Sequence, residues 1–412
     1  MNKVLLLHPI FPPFSSAETQ VFVKQMGSTT PDKIDVLTSV KGGRGFISDT
    51  SLSFYAKNRF GVVYDANVPF LLRRLPFSRF GILSRLPDPF RLFNISFTWA
   101  AFKIIKANGH KIIITRSQPH SIHLVGLNLK RIFRKRIFWI AHFSDPWVNN
   151  PFKAMTGIER DINSHLQQRI LASADLITVP LLETLIMDNV FSAVSHKTCI
   201  LPHSYDSSLF EKHKTNHNPS EKLIIKSIGN FYGVRSPEPF LKALKSLYLG
   251  GRLSRKFQIV FVGSIEKEIM KKINSDYSEI PCQFIGPVEY KTSLSMMNEA
   301  DILLLVDAPL SFSPFLPSKL VDYIGSGRPI LGVTPSGPAK NTIEELGGWV
   351  GDPSNIASVQ NAILAAFEYC SSPRESEFGN HETRDLFQQT LISREVSEVL
   401  LRANESLDQM DT

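Results

Sequence analysis

One short segment in the second half of the chain combines residue types that could bind a phosphorylated ligand. Ser318 stands at the predicted start of a helix, Lys319 follows it, and Asp322 lies one helical turn further on the same face. A helix start offers free backbone N–H groups and a partial positive charge, to which Lys319 adds a full charge. With Ser318 as the helix cap, this predicts a phosphate site in which Asp322 could accept hydrogen bonds from two ribose hydroxyls. The alternative is a capped surface helix in which Lys319 and Asp322 form an ion pair.

These residues need elements that hold them in place, and the hydrophobic pattern predicts such elements. Short apolar runs alternate along the chain with longer stretches of helical period, which is typical of parallel sheets covered by helices. Strands are predicted at 4–8, 34–38, 112–115, 138–141, 176–179, 224–228, 258–262, 283–286, 302–307 and 330–333. Helices are predicted at 17–26, 95–107, 120–131, 158–172, 180–190, 238–249, 290–300 and 319–324.

The predicted elements fall into two series, separated by the polar segment HKTNHNPSE at 213–221, which predicts a linker. We therefore expect an α/β chain with two Rossmann-like, doubly wound domains, 1–212 and 222–381. They should face each other across a cleft, where the carboxyl ends of strands and the amino termini of helices converge. The remaining stretch, 382–412, is predicted to form a helix that packs back on the first domain.

The composition indicates a folded chain with an uneven distribution of charge. Of 412 residues, 43% are hydrophobic, which excludes a mainly disordered or fibrous protein. Residues 1–215 carry 27 basic and 14 acidic side chains, whereas residues 216–412 carry 19 and 24. Two basic stretches rich in apolar residues, 70–93 and 130–136, favour an anionic membrane surface as a partner. The alternatives are a solvated basic face or nucleic acid, and the sequence contains no signature of an RNA- or DNA-binding motif.

Cysteine usage and hydropathy predict where the chain works. Cys199, Cys282 and Cys370 lie far apart, which predicts a reducing compartment and no structural zinc. The apolar run at residues 4–7 is too short for a secretory signal, and no run of about 18 apolar residues could span a membrane. We therefore expect a cytoplasmic protein that the basic stretches attach to the inner face of the membrane.

The segment PSKLVDYIGSGRPIL at 317–331 resembles the nucleotide-sugar motif of GT-B glycosyltransferases, specifically the family 4-like group of bacterial surface-polysaccharide enzymes. Asp322 takes the place of the carboxylate that lies seven residues before the proline of that motif. Further segments resemble family motifs in the family's order: AHFSDPW at 141–147, ILPHSYDSSLF at 200–210, GNFYGVRSPEPFLKAL at 229–244, FVGS at 261–264 and IGPVEYKTSLSMMNEADILLLV at 285–306.

The resemblance implies a glycosyltransferase that moves a sugar from a nucleoside diphosphate sugar to a hydroxyl acceptor. The acceptor would be a lipid-linked or surface-polysaccharide glycan. Transfer would retain the configuration of the sugar and would need no metal ion or other cofactor.

The resemblance also implies which residues bind the donor. In the family, a basic pair after the first strand of the second domain holds the donor diphosphate. Arg235 matches the second member of the pair, in a loop that begins with Gly229, and a guanidinium suits a leaving group that gains negative charge. The first member, expected near Asn230, is missing, and Lys319 could supply that charge.

A second departure from the family concerns a carboxylate that normally contacts the donor sugar. It belongs eight residues before Asp322, where this chain has Pro314. Backbone amides of the loop at 311–318 could take over part of that role.

In the first domain, His142 falls where the family has a histidine beside the donor sugar and the acceptor. A neutral imidazole can donate to a hydroxyl or a phosphate without a fixed charge being desolvated. Asp145, three residues later, could bind the acceptor hydroxyl or act as a base, or it could only cap a turn. Ser15 and Ser16 stand where family members often have a Gly-Gly turn, and they could contact the acceptor or a phosphate.

Other classes of function stay open on the sequence. His120 and His123 could suggest zinc, but without further ligands nearby a helix cap or an acceptor wall is favoured. The GT-B fold also serves nucleotide-sugar epimerases, which need additional carboxylates. A non-catalytic nucleotide-sugar-binding subunit would explain the missing carboxylate, and a nucleic-acid-binding protein would explain the basic charge alone.

Overall fold

The chain folds into two α/β units. The computed structural model describes residues 2–26, 34–43, 46–75, 86–152, 155–187, 189–210, 222–253, 255–373 and 377–411. The first unit comprises Met1–His203 together with Ile392–Thr412, and the second unit is Ser204–Leu391. The linker predicted at 213–221 lies outside the described residues.

A parallel sheet forms the centre of the first unit. The strands of this unit are β1 (Val4–Leu7), β2 (Phe14–Ser15), β3 (Asp35–Thr38), β4 (Ile47–Ser48), β5 (Val63–Asp65), β6 (Ile112–Ser117), β7 (Phe138–Phe143), β8 (Leu176–Val179) and β9 (Thr198–Ile200). Seven of them pair in parallel in the order β5-β3-β1-β6-β7-β8-β9, and β2 and β4 form a separate antiparallel pair. The direction in which successive strands are added to the sheet reverses between β1 and β6. Such a reversal is called the switch point of the sheet, and ligands of open α/β sheets bind there.

Helices connect the strands of the first unit and bury their apolar faces on its core. They are α1 (Ala17–Met26), α2 (Ser53–Arg59), α3 (Phe70–Arg74), α4 (Asn94–Asn108), α5 (Ile122–Phe133), α6 (Gly157–Ser173), α7 (Leu182–Met187) and α8 (Asn189–Ser192). Gly126 of α5 shows how tightly they pack, because a Cβ atom there would lie 2.3 Å from the ring of Trp139. Only a residue without a side chain allows this approach of helix and strand.

The second unit repeats this architecture. Its strands are β10 (Lys222–Ile228), β11 (Lys256–Val262), β12 (Cys282–Ile285), β13 (Ile302–Val306), β14 (Ile330–Val333) and β15 (Trp349–Gly351). They pair in parallel in the order β12-β11-β10-β13-β14-β15, so the order reverses between β10 and β13. All five residues of β13 are buried, as expected for a strand that has helices on both faces of its sheet.

The helices of the second unit follow its strands in alternation. They are α9 (Glu238–Leu249), α10 (Lys267–Asp276), α11 (Tyr290–Asn298), α12 (Ser318–Ser326), α13 (Pro338–Glu345), α14 (Ile356–Tyr369) and α15 (His381–Asp385). These two helix-flanked parallel sheets confirm the predicted α/β class with two doubly wound domains.

The last helix, α16 (Gln389–Asp411), belongs to the first unit from Ile392 onward. Val396 and Ala403 are fully buried there, and Oδ1 of Asn404 accepts a hydrogen bond from the backbone N–H of Asn2 over 2.8 Å. The helix therefore holds the amino-terminal strand. Among the described residues, no helix combines the length and apolar character needed to cross a bilayer.

Candidate functional site

The switch point of the second sheet brings Gly229 and Lys319 together. Gly229 follows β10 and has a φ of 133°, a value that residues with a side chain rarely adopt. A Cβ atom on Gly229 would lie 3.3 Å from Cδ and 3.4 Å from Nζ of Lys319. The lysine side chain therefore extends from the start of α12 across the bare backbone that follows β10.

Arg235 lies at the same edge of the sheet, paired with a buried carboxylate. Its Nη2 atom is 3.1 Å from Oδ1 of Asp307, which follows β13 and is 1% exposed. Asp307 also accepts hydrogen bonds of 2.8 Å from the backbone N–H of Ala308 and from the hydroxyl of Ser313. One carboxylate thus fixes the loop after β13 and holds the arginine beside it. The hydrophobic pattern predicts Asp307 only as the last residue of the strand at 302–307.

Lys319 is a partly buried cation that has no counterion of its own in the described part of the chain. Among the described residues, no hydrogen bond or ion pair engages its Nζ atom. Burial and, to a smaller extent, the positive charge of Arg235 lower the pKa of Lys319 to about 7, although the carboxylate of Asp307 opposes the shift. Two cationic side chains therefore lie around a single carboxylate, and an anion bound there would favour the charged form of Lys319.

The start of α12 differs from the prediction. Pro317 occupies the N-cap position, with φ −57° and ψ 132°, and no side chain caps the helix. The prediction that Ser318 caps the helix is wrong, because Ser318 is already the first helical residue, a position that follows the fixed φ of the proline. Pro317 has no side-chain acceptor, so the N–H groups of the first turn are not capped by a side chain.

Asp322 lies inside the second unit, not on its surface. It is 4% exposed, and its Oδ1 atom accepts a hydrogen bond of 2.8 Å from the hydroxyl of Tyr290 in α11. No ion pair joins it to Lys319, so the alternative of an exposed ion pair is not observed. The tyrosine fixes the orientation of the carboxylate.

Tyr323 anchors α12 to the strands. Its hydroxyl accepts a hydrogen bond of 2.8 Å from the N–H of Ile228 at the end of β10, and it also reaches the carbonyl of Leu304 in β13 at 3.4 Å. Burial raises the pKa of this phenol, so it stays neutral. The helix start is therefore fixed at the switch point.

In the first unit, His142 is fully buried in β7. Its Nδ1 atom lies 2.9 Å from the hydroxyl of Thr178, and its Nε2 atom is buried with no hydrogen-bond partner among the described residues. Burial lowers the pKa of His142 well below its ordinary value, and Arg116 and His203 lower it further. The ring is therefore a neutral imidazole at physiological pH.

A buried ion pair that the sequence does not predict lies near His142, across β6 and β7. The guanidinium of Arg116, at 0% exposure in β6, donates from Nε to Glu18 and from Nη1 to Gln25, both over 2.7 Å. Glu18, in the first turn of α1, also accepts a hydrogen bond from the hydroxyl of Ser144. Burial raises the pKa of Glu18, while Arg116 opposes the rise. These partners lie too far apart in sequence for spacing to reveal them.

The other predicted residues of the first unit take local partners. The side chain of Asp145 accepts a 2.7 Å hydrogen bond from the amide of Gln118. Ser15 is buried in β2 and accepts a hydrogen bond from Gln20. The hydroxyl of Ser16 accepts one from the backbone N–H of Thr19, as a cap of α1 does. The hydroxyl of Ser16 therefore caps the amino terminus of α1.

The two histidines considered for zinc have structural partners. The ring of His120 stacks on Trp147, with centroids 4.9 Å apart, and Nδ1 of His123 lies 2.8 Å from the hydroxyl of Thr115. Trp147 is buried and donates from its indole nitrogen to Asn163. Within the described parts of the chain, no three metal-ligating side chains come together.

Comparisons with known proteins identify the architecture. No family model and no curated protein sequence matches the chain. Among solved structures, the chain is similar to sucrose-phosphate synthase from Thermosynechococcus elongatus, at 16% identity and TM-score 0.71, over 98% of this chain and 99% of that one. It is also similar to Anabaena Alr3699/HepE in complex with UDP and glucose, at 15% identity and TM-score 0.65, over 98% and 100% of the two chains.

A third similar structure is that of the lipopolysaccharide outer core galactosyltransferase WaaB in its apo form. Its identity to this chain is 12% and its TM-score 0.61, over 97% of this chain and 99% of that one. The likeness extends over the whole length in all three cases. The chain therefore has the two-domain GT-B fold.

Proposed function

We propose that this GT-B chain transfers a glycosyl group from a nucleoside diphosphate sugar to a hydroxyl acceptor. The observation that carries the proposal is the pair of cations, Arg235 and Lys319, that lies around the single carboxylate of Asp307 at the switch point of the second sheet. These three groups leave one net positive charge beside the uncapped first turn of α12, which favours the binding of an anionic group such as a diphosphate. The similar structure of HepE holds UDP and glucose in a chain of this architecture.

Each donor-binding residue has a role that its surroundings support. Arg235 and Lys319 would hold the two phosphates, and the glycine at 229 lets the lysine cross the backbone to reach them. Ser318 and the uncapped amides of the first turn of α12 would donate to phosphate oxygens. Asp322, oriented by Tyr290, would accept from the ribose hydroxyls.

The chemistry follows from where charge develops during transfer. As the bond between the sugar carbon and the phosphate oxygen breaks, negative charge grows on the diphosphate. Two positioned cations stabilise that charge more than they stabilise the bound donor, which accelerates the step. Since Arg235 and Lys319 supply this charge, the proposed mechanism needs no metal ion.

The acceptor side of the proposal rests on His142 and Asp145 of the first unit. A neutral His142 can donate to a sugar oxygen through its Nε2 atom, which has no hydrogen-bond partner among the residues that the structure describes. Asp145 would bind the attacking hydroxyl and receive its proton, while the hydrogen bond from Gln118 holds the carboxylate in place. Ser15 and Ser16 would line the acceptor side. For the sugar to be transferred with retention, as in family 4-like enzymes, the hydroxyl would attack the face of the sugar carbon from which the diphosphate departs.

We further propose a lipid-linked or surface-polysaccharide glycan as the acceptor. The excess of basic residues in the first half of the chain would draw that half to an anionic membrane surface, on the cytoplasmic side. WaaB, which is similar in structure, is a galactosyltransferase of the lipopolysaccharide outer core.

A donor screen tests the proposal. The purified chain is titrated calorimetrically with UDP-, GDP- and ADP-sugars, and the donor that binds is supplied in radiolabelled form with and without a glycan acceptor. We expect one base to bind in preference and the labelled sugar to be hydrolysed or transferred. Binding without turnover would instead indicate a non-catalytic subunit, and absence of any nucleotide affinity would overturn the assignment of the site.

A further inference from the structure

Helix α4 carries apolar residues on two opposite faces. Phe97, Ala101, Ile104 and Ile105 pack into the core of the first unit. On the other side, Ile95 is 84% exposed and Trp99 is 58% exposed. A helix in a water-soluble surface layer normally places polar residues on its outer side. Exposed apolar residues on the outer side of a helix indicate a surface that contacts a membrane or another protein.

The outer face of α4 is also ordered by ring contacts. Trp99 stacks on Phe102 with centroids 5.7 Å apart and an interplanar angle of 10°, and Phe102 contacts Phe133 of α5 at 5.6 Å. Lys103 lies 4.8 Å from the centroid of the Trp99 ring, and Lys106 lies 5.1 Å from that of Phe102. An ammonium group thus lies over the exposed ring of Trp99 and another lies over the half-buried ring of Phe102, and both lysines are exposed.

The basic charge continues from α4 to the end of α5. The 3₁₀ turn Arg134–Arg136 directly follows Phe133, and all three of its side chains are exposed. Lys130, which precedes it, is engaged elsewhere, because it pairs with Asp175 at 2.6 Å and donates to the carbonyl of Ile137. In the cluster predicted at 130–136, the charges that stay available to a partner are therefore those of Arg131 and of the turn Arg134–Arg136.

We propose that this surface docks on an anionic lipid bilayer. The Trp99 face consists of Ile95, Trp99, Phe102, Lys103, Lys106 and the turn Arg134–Arg136. Tryptophan favours the boundary between headgroups and acyl chains, and lysines beside it bind anionic headgroups while their stems cover apolar surface. Residues 51–150 carry 16 basic and 3 acidic side chains, and this positive charge is complementary to the negative charge of such a membrane. A second protein copy would bring the same positive charge against it.

The docking proposal rests on the proposed function only through its membrane-bound acceptor. The Trp99 face belongs to the first unit, whereas the residues proposed to bind the donor belong to the second unit. Nucleotide binding and membrane binding can therefore be measured separately, and either can fail without the other.

Vesicle binding tests the proposal directly. The full chain is mixed with vesicles of phosphatidylcholine alone, or with about 30% phosphatidylglycerol added, and the bound fraction is measured by flotation. Tryptophan fluorescence gives an independent signal, because of the four tryptophans Trp139 and Trp147 are buried, Trp349 of the second unit is half-buried and Trp99 is exposed. We expect binding to the anionic vesicles only, with a blue shift of the emission that is lost in Trp99→Phe.

Charge variants make the test specific. Lys103→Glu combined with Lys106→Glu should weaken binding to anionic vesicles by about tenfold or more, since each basic residue near a membrane contributes on the order of 1 kcal/mol. The matched control is Lys267→Glu with Lys271→Glu, which changes the net charge equally through exposed lysines of α10. The control should bind as the unaltered chain does.

The following results would overturn the docking of the Trp99 face on a bilayer. They are equal binding to neutral and anionic vesicles, equal losses in the two charge variants, and an emission maximum that does not change on vesicles. A concentration-dependent dimer that Trp99→Ser disrupts would assign the face to a second copy. Salt-sensitive RNA binding that is lost in the Lys103 and Lys106 variant would assign it to nucleic acid. As a control, the affinity of the same variants for UDP-glucose is measured, and an unchanged affinity shows that a loss of membrane binding does not come from damage to the donor site.

Discussion

The hydroxyl of Tyr290 donates a hydrogen bond to Oδ1 of Asp322 over 2.8 Å, inside the second unit. These two residues come from different helices, and the bond gives a buried carboxylate one fixed orientation. If that carboxylate binds ribose hydroxyls, the tyrosine acts as a positioning residue for nucleotide binding.

Replacing Tyr290 with phenylalanine tests that relationship. The loss of a hydrogen bond to a buried carboxylate should reduce the free energy of unfolding by about 1.5–3 kcal/mol. The dissociation constant of UDP-glucose should rise as well, because Asp322 becomes free to turn. Urea unfolding and calorimetric titration measure the two effects, and Asp322→Asn should have a similar effect on binding. An altered stability with unaltered affinity would assign the bond to folding alone.

Gly229→Ala probes the crossing of Lys319 over the backbone. The new methyl group would sit 3.3 Å from the lysine Cδ, at a φ of 133° that alanine tolerates poorly, so we expect a weaker affinity for UDP-glucose. Gly251→Ala is the matched control, since its φ is 67° and no atom lies within 4 Å of the added carbon. Both variants should lose on the order of 1 kcal/mol of stability. Equal affinities in the two variants would count against the site.

The pKa of about 7 for Lys319 predicts how donor binding depends on pH. Below that value the lysine is charged and should bind phosphate, and above it the charge is lost, so the affinity for UDP-glucose should fall between pH 6 and pH 9. UDP-glucose is the suitable probe because its phosphates do not titrate in this range. Lys319→Arg should keep its charge throughout and remove the dependence. A steep fall that persists in the arginine variant would implicate another group.

The same shift predicts the direction of the stability change. The unfolded chain holds the lysine proton more tightly than the folded one between about pH 7 and the ordinary lysine pKa of about 10.4. The contribution of Lys319 to the free energy of unfolding should therefore rise with pH across this window. Comparing denaturation of the unaltered chain and Lys319→Met at several pH values isolates that contribution.

Arg116→Met should destabilise the first unit. The substitution leaves Glu18 buried without its cation, and breaking such a pair costs about 3–5 kcal/mol. Arg160→Met, at an exposed position of α6, serves as the control and should lie within about 0.5 kcal/mol of the unaltered chain. Urea denaturation monitored by circular dichroism provides the comparison. Similar midpoints for both variants would show that the pair contributes little.

Much of the fold could be predicted because buried strands are continuous apolar runs. The strands at 176–179 and 330–333 were predicted to the residue, since polar or turn residues bound each run. The strand Trp349–Gly351 was not predicted, because it is three residues long and only its pairing with β14 defines it. Short edge strands depend on their neighbours and not on their own sequence.

Only the part of the candidate site that lies within a single helix could be predicted from the sequence. The order of Ser318, Lys319 and Asp322 along one helix is visible in the sequence, and the structure confirms the helix. The side-chain partners within the site are not visible in the sequence, because Asp307 contacts Arg235, and Tyr290 contacts Asp322, only in the folded structure. The cap predicted at Ser318 is wrong for a local reason, since Pro317 takes the N-cap position and Ser318 is already the first helical residue.

The most direct test of the account is a calorimetric titration of UDP-glucose, and of the corresponding GDP- and ADP-sugars, against the unaltered chain and Lys319→Ala. Lys267→Ala, an exposed lysine of the same unit, is the control. We predict that the dissociation constant of the preferred donor rises about tenfold or more in Lys319→Ala and not in the control, the scale of one charge-assisted contact. Equal affinities in all three proteins would contradict the assignment of the start of α12 as the diphosphate site.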